Sequence, residues 1–329
     1  MKVKIGMVSF AHMHAYSYAR AIGKISEVDL AGIYDDNPYR GTQAARMFGT
    51  TYFEDYEDLL DQRLDGVIIC SENALHREHV RIASEHKVHI LCEKPIATSL
   101  EDAQFMIEVC QKNKVKLQTA FPMRYSPPVR FLKEYLDRGS LGKVVAASCT
   151  NHGTVPPGWF QKKELSGGGA IMDHTVHVVD LLRWMLKTEV KKVYAHASTL
   201  IQPLEVEDCA LLSLTLGNGV IASLDCSWSR PKNFPFWGDV TMRIYGTEGV
   251  IDMDAFKQGI ASYNDERIKS IWHYWGQDPD LEMIRDFISC IKENRPVSIT
   301  GEDGRKALAV ALSAYRSLEK GDTVYVDYG

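Results

Sequence analysis

The stretch Val88-His89-Ile90-Leu91-Cys92-Glu93-Lys94-Pro95 decides how this chain is read, because an apolar run of strand length ends on a charged pair and a proline. A continuous apolar run of this kind suits a strand buried on both faces, as in a parallel sheet. Open α/β sheets bind their ligands outside the carboxyl ends of their strands, so Lys94 stands where chemistry is done. Glu93 can hold the ammonium and tune its charge. Pro95 stiffens the bend, and an X–Pro bond takes the cis form for about 0.5–1 kcal/mol, against roughly 2.5–4 for other residues. Taken alone, the tripeptide reads equally well as a solvated strand end, where an exposed ion pair contributes little.

Outward from that stretch, short apolar strands alternate with amphipathic helical segments through about residue 122, which predicts a doubly wound parallel sheet. The expected strands are Val3–Val8, Val28–Tyr34, Gly66–Cys70, Val88–Cys92 and Val115–Phe121, and the expected helices are Ala15–Ile22, Arg40–Phe48, Ala74–Glu85 and Ser99–Lys112. Ser99 is the N-cap of the last of these. After Pro127-Pro128 and a helix Val129–Arg138 the texture turns to longer β-rich runs: Val144–Thr150, Val193–Leu200, Ala210–Leu216, Val220–Trp228 and Val240–Tyr245, with Asn218-Gly219 as a hairpin turn. Helices are expected near Ile171–Leu186, Leu281–Glu293 and Glu302–Leu318, and a short strand at Thr323–Val326. The expected organisation is a dinucleotide-binding domain, residues 1–124, and an α+β domain with a large, mostly antiparallel open sheet, residues 125–329, whose last helix packs back on the first.

At 329 residues, 45% hydrophobic and 25% charged, the chain can build two ordinary cores. A net charge of −5 without a Lys/Arg block argues against nucleic acid and for a small-molecule partner. The seven cysteines are scattered, with no Cys-x-x-Cys pair, the pattern of a reduced compartment. No signal-peptide pattern opens the chain, and no apolar run approaches the roughly 20 residues of a membrane span, so a soluble, cytoplasmic protein is expected.

A strand, a turn and a helix, followed by a second strand ending in an acid, is the plan of a dinucleotide-binding unit. Asp35 is the acid: a carboxylate there accepts the adenosine ribose hydroxyls and repels a 2′-phosphate, favouring NAD over NADP. Its other reading is a turn residue of Asp35-Asp36-Asn37-Pro38. The expected glycine-rich turn instead reads Ser9-Phe10-Ala11-His12-Met13-His14. An anion site needs free N–H groups at a helix N-terminus, which Ser9 Oγ and the His12 side chain can supplement. His12 and His14 otherwise read as packing or capping residues.

Further on, Ser166-Gly167-Gly168-Gly169-Ala170-Ile171-Met172-Asp173-His174-Thr175-Val176-His177-Val178-Val179-Asp180 reads as a flexible glycine run feeding a helix. At about 100° per residue, Asp173, His177 and Asp180 share one face, with His174 about a quarter-turn away. An Asp four residues before a His can fix its tautomer and raise its basicity toward that of a general base. Two other readings stand beside it: metal ligation by these Asp and His residues, and a purely structural helix start with Asp173 on the macrodipole.

With Glu-Lys-Pro after a strand and Gly-Gly-Gly-Ala-x-x-Asp-x-x-x-His in the following domain, the chain resembles the Gfo/Idh/MocA family of NAD(P)-dependent oxidoreductases. Asp65–Cys70 with Asn73 and His76, Arg124, Tyr245–Gly249 and Ile299–Gly304 extend the match end to end. The resemblance implies a Rossmann domain, a second domain whose open sheet often forms the oligomer contact, and a cofactor between them. It implies catalysis by Lys94, Asp173 and His177 and a cis Lys94–Pro95 bond; of the readings of the Asp and His residues, no metal site is expected. The implied cofactor set is Ser9, Phe10, Ala11 and His12 of the turn with Asp35, Ser71, Asn73, His76, Glu93, Lys94 and Arg124. The chain departs from the family in its lost glycines and in Glu72, which stands where a proline is common.

The reaction expected is hydride transfer between NAD and a secondary alcohol of a sugar, cyclitol or related polyol. Arg124, Asn151, His152, Trp159 and His174 are the candidate substrate contacts, the segment Asn151–Gly158 reading as a loop. The alternatives are a catalytically silent sensor of the same fold and a glycosidase-type activity driven by transient oxidation with tightly held NAD. A homodimer or homotetramer through the second sheet is expected.

Overall fold

The computed structural model describes residues 2–234, 237–257, 259–264, 269–274 and 276–329. The chain forms two compact units, Met1–Pro122 with Pro279–Arg305, and Met123–Asp278 with Lys306–Gly329.

The first unit is laid down as β1 Val3–Val8, α1 His14–Gly23, β2 Val28–Tyr34, α2 Pro38–Phe48, β3 Tyr52–Phe53, α3 Tyr56–Leu60, β4 Gly66–Ile69, α4 His76–Glu85, β5 His89–Cys92, α5 Leu100–Asn113 and β6 Leu117–Thr119. All pairings are parallel, in the order β3-β2-β1-β4-β5-β6, the order of a doubly wound dinucleotide-binding sheet. Residues Ile5, Met7, Val67–Ile69 and Ile90–Cys92 are fully buried, as strands covered on both faces must be. Helix starts follow local chemistry: Asn37 Oδ1 accepts from the Tyr39 and Arg40 amides ahead of α2, and Ser99 Oγ from the Asp102 amide ahead of α5. Two short elements, β3 and α3, were not expected from the sequence, because two and five residues are too few to establish a period.

The second unit continues with α6 Pro127–Asp137, β7 Val144–His152, α7 Lys163–Ser166, α8 Ala170–Leu186, β8 Val190–Ser198, β9 Cys209–Leu216, β10 Ile221–Ser227, β11 Thr241–Gly246, β12 Gly249–Asp254, β13 Gly259–Asn264 and β14 Lys269–Tyr274. The chain then returns to the first unit for α9 Pro279–Lys292, which packs on α1. It ends with α10 Gly301–Lys320 and β15 Val324–Tyr325. The sheet order is β12-β11-β7-β10-β9-β8-β15, antiparallel except for β7 against β10, and β13 and β14 pair separately. The sequence shows no strand pattern for β12, β13 or β14, where polar and charged residues break the alternation.

Helix α8 lies on β7, β9 and β10 and is buried from Ala170 to Arg183. Alternation along the strands puts Leu212 and Leu214 inward and leaves Leu211, Ile221 and Val145 exposed. No helix is long and apolar enough to cross a membrane among the described residues.

Candidate active site

Glu93 and Lys94 leave β5 at its carboxyl tip, and both are buried, at 0% and 2% exposure. The solvated strand end is thereby excluded. The Glu93 amide donates to the Ile69 carbonyl, the Lys94 amide donates to Glu93 Oε2 at 3.0 Å, and the Lys94–Pro95 bond is cis. The other carboxylate oxygen, Oε1, is 3.0 Å from His14 Nδ1. Burial alone would raise the Glu93 carboxyl, but His12, His14 and Lys94 hold it well below the usual carboxylate range. Burial would likewise lower His14, and Glu93 turns the balance upward. His12, His14 and Glu93 each bring a potential ligand atom within 4.8 Å of the others. His12 Nδ1 also accepts the His14 amide.

The turn after β1 keeps the shape of a glycine turn without its glycines, because Ser9 takes φ 66°, the left-handed conformation that glycine adopts freely. Its amides are answered internally. Phe10 N donates to Asp35 Oδ2 at 2.7 Å, Ala11 N to Ser9 Oγ, and His12 N to the Cys70 carbonyl. Ser9 Oγ and the His12 ring therefore occupy amides of the turn, where the sequence suggested they would supplement them. Asp35 is fully buried and also accepts from Asn37 N at 2.9 Å and from Arg40 Nε at 2.8 and 3.0 Å, with Arg40 NH2 at 2.7 Å.

In the second unit the glycines before α8 are clamped, which corrects the reading of them as a flexible run. A Cβ on Gly168 would lie 1.9 Å from Tyr315 Oη, and one on Gly169 would lie 2.0 Å from the Glu207 carbonyl oxygen. That close approach lets Glu207 cap the helix from across the unit: Oε1 accepts from Gly169 N, Ile171 N and the Tyr315 hydroxyl. One turn in, Asp173 Oδ2 accepts from Trp228 Nε1 at 3.1 Å and lies 3.3 Å from His174 Nε2. His177, a turn further along, is 6% exposed.

Two family models match this chain: the oxidoreductase family, NAD-binding Rossmann fold, over residues 3–121, and the GFO/IDH/MocA C-terminal domain over residues 129–252. The chain belongs to the Gfo/Idh/MocA family. Its Rossmann-type first unit is NAD-binding by family, and the protein is an oxidoreductase. It is 28% identical to the uncharacterized oxidoreductase YrbE of Bacillus subtilis, over 94% of this chain and 93% of that one. It is 27% identical to the myo-inositol 2-dehydrogenase of Thermotoga maritima, over 99% of each. The solved structure of GenD2 from gentamicin A biosynthesis, in complex with NAD, has a TM-score of 0.91 and 24% identity, over 99% of this chain and 97% of that one, a likeness of fold.

Within this Gfo/Idh/MocA chain several candidate residues are committed to internal partners. His76 is fully buried, with Nδ1 3.1 Å from the Pro95 and Ile96 carbonyl oxygens and Nε2 3.2 Å from that of Ser71, so it ties the Lys94 turn to the turn after β4. Ser71 Oγ is 2.9 Å from His79 Nδ1, and Asn73 opens a 3-10 turn, Asn73–Leu75. The Phe10 ring packs edge-on to Tyr16 at 5.1 Å. Arg124 gives Asp180 two hydrogen bonds, 2.8 and 2.6 Å, one to each carboxylate oxygen.

Asn151 and His152 are strand residues rather than loop residues, because β7 runs two residues past its expected end to stay paired with Cys226 and Ser227 of β10. Asn151 Nδ2 donates to the Asp239 carbonyl. His152 lies between Asp239, 2.7 Å from Nδ1, and Asp225, 3.0 Å from Nε2. Burial alone would lower it, but hydrogen bonds to these carboxylates push it up to about 9. Trp159 stacks on Phe160 at 3.9 Å, and His174, fully buried, meets the Trp237 ring edge-to-face at 5.5 Å. Sequence reasoning passed over Arg40, Glu207, Trp228 and Tyr315. Only Arg40 left a local signal, as a cation one turn into the helix after Asp35.

Proposed function

We propose that the protein oxidises a secondary alcohol of a sugar, cyclitol or related polyol, with NAD as the cofactor. The enzyme class follows from the family: an NAD(P)-dependent dehydrogenase acting on CH–OH groups. The observation that carries the reading is the buried Lys94 at the carboxyl tip of β5, its backbone held by Glu93 and its turn tied down by His76. A lysine is not placed there for solubility, since an ammonium out of water is costly unless something needs it. The similarity to a myo-inositol 2-dehydrogenase supports a polyol as substrate.

The first unit also fits a dinucleotide: it keeps the 3-2-1-4-5-6 strand order, the left-handed turn at Ser9, and a carboxylate cluster at the end of β2. NAD, when bound, supplies the hydride acceptor. The residues then divide the proton chemistry. His177 takes the hydroxyl proton, and Asp173, one turn earlier on α8, holds its ring in the productive tautomer. Lys94 donates to the same oxygen, an interaction that strengthens as charge develops there. In the reverse direction protonated His177 returns the proton. The buried first turn of α8 keeps Asp173 out of bulk water, which strengthens the hydrogen bonds its carboxylate accepts.

A second reading has one observation in its favour: the turn amides are satisfied by Asp35, Ser9 and Cys70, as suits a silent sensor. Both readings are tested by following NADH formation over a polyol panel with the wild type, Lys94→Ala and His177→Ala. We expect wild-type turnover and a loss of at least about 100-fold in kcat for each variant, the scale of general acid–base catalysis. Unchanged turnover in both variants would sink the assignment, and a wild type that neither turns over nor binds NAD would favour the sensor.

A further inference from the structure

Asp35 is poorly placed to receive a ribose. A carboxylate offers about four acceptor positions, and here Phe10 N, Asn37 N and the Arg40 guanidinium fill them inside a fully buried corner. Its work is to fasten the turn after β1 to the end of β2. The carboxylates with capacity to spare lie beside it. Asp36 is about half exposed, with one oxygen 2.8 Å from Arg40 NH2. Glu72, which leaves β4 at the same sheet edge, is 9% exposed, and its buried Oε2 has no hydrogen-bond partner.

The charges acting on Glu72 are those of Asp36, Arg40 and Asp35, so three carboxylates share the field of one guanidinium in this corner. An unpartnered buried carboxylate oxygen is unfavourable unless a ligand completes it. The ligand must be a donor. A ribose hydroxyl is one, whereas a 2′-phosphate is an anion with acceptors only. Burial, and then the charge of Asp36, push the Glu72 carboxyl up, so a donor that stabilises its ionised form gains most here.

We infer that Glu72, together with Asp36, receives the hydroxyls of the adenosine-end ribose and bars the 2′-phosphate, while Asp35 serves to hold the turn. This rests on the dehydrogenase reading above.

The test titrates the full-length protein with NAD and with NADP, read by tryptophan fluorescence, alongside the thermal midpoint of each variant. The wild type is expected to bind NAD at least about tenfold more tightly than NADP. Glu72→Gln, which keeps the shape, and Asp36→Asn should each narrow that ratio at least about threefold, and the double variant should erase it with the thermal midpoint kept. Asp35→Asn should lower the midpoint and weaken both cofactors by similar factors. A ratio unchanged within about twofold in the double variant overturns the inference, as does a reversed preference in Asp35→Asn. A wild type that binds neither cofactor removes the dehydrogenase reading and the inference with it. Binding of NAD with ratios insensitive to Glu72 and Asp36 removes the inference alone.

Discussion

Trp228 shows how much of the catalytic reading depends on a residue without chemistry of its own. Its ring is buried among Ala170, Val206, Val155 and Leu204, and its single N–H goes to Asp173 Oδ2. A hydrogen bond to an ionised carboxylate is worth about 1.5–3 kcal/mol. In Trp228→Phe most of the packing survives and the donor is lost. The expected outcome is a fall in kcat/KM of about tenfold or more, with the acid limb of the pH–rate profile moved toward neutrality, because the lost donor favoured the charged form of the carboxylate. A variant of native stability with an unmoved profile would assign Trp228 to packing alone. None of this was legible in the sequence, where Asp173 and His177 stood out by spacing and the tryptophan, 55 residues away, was one more apolar residue at a strand end.

At the scale of the element, the start of α8 is the instructive case. The glycine run was visible, but its reason was not: Gly168 and Gly169 are small because Tyr315 and the Glu207 backbone come too close for any Cβ. The cap on this helix comes from the segment before β9, so no N-cap residue announces it. Gly169→Ala is expected to destabilise the protein by about 3 kcal/mol, the upper range for forced overpacking, in urea denaturation. Gly23→Ala at the end of α1, where an added Cβ meets nothing within 4 Å, is the control, expected within about 0.5 kcal/mol of wild type or slightly more stable. Equal effects of the two substitutions would discard the clamp. By contrast, β1 and β2 were legible to the residue, because a buried strand's apolar run is a local property.

For the whole molecule, the His152 cluster sets a pH window of stability. His152 rises from 6.5 to about 9 on folding, so its contribution is fully present below the unfolded value of 6.5 and is lost as pH rises through about 9. The hydrogen bonds that raise it lower Asp239 against the cost of burial, so that contribution is present above the ordinary carboxylate range and lost in acid. Allowing for partial solvent screening, the His152 part is about 1–2 kcal/mol. Between pH 6.5 and pH 9.5 the wild type should therefore lose more unfolding free energy than His152→Asn, by about that much, on top of a loss common to both from thiols such as Cys70 and Cys92, whose ionisation burial disfavours in the folded chain. Equal losses in the two proteins would point to other groups.

What the sequence determined by itself was local in origin: the alternation of buried strands and amphipathic helices, the lysine at a strand tip, and a carboxylate four residues ahead of a histidine on one helix. These rest on periodicities of two and 3.6 residues, which a chain displays wherever it folds. The tertiary structure alone decided which groups meet. It set His14 against Glu93 across 79 residues, filled the acceptor positions of Asp35 with Arg40 and two amides, and returned α9 to the first unit. Such pairings arise from how whole elements pack. No local pattern records them, because the residues involved obey the same propensities whether or not their partners arrive.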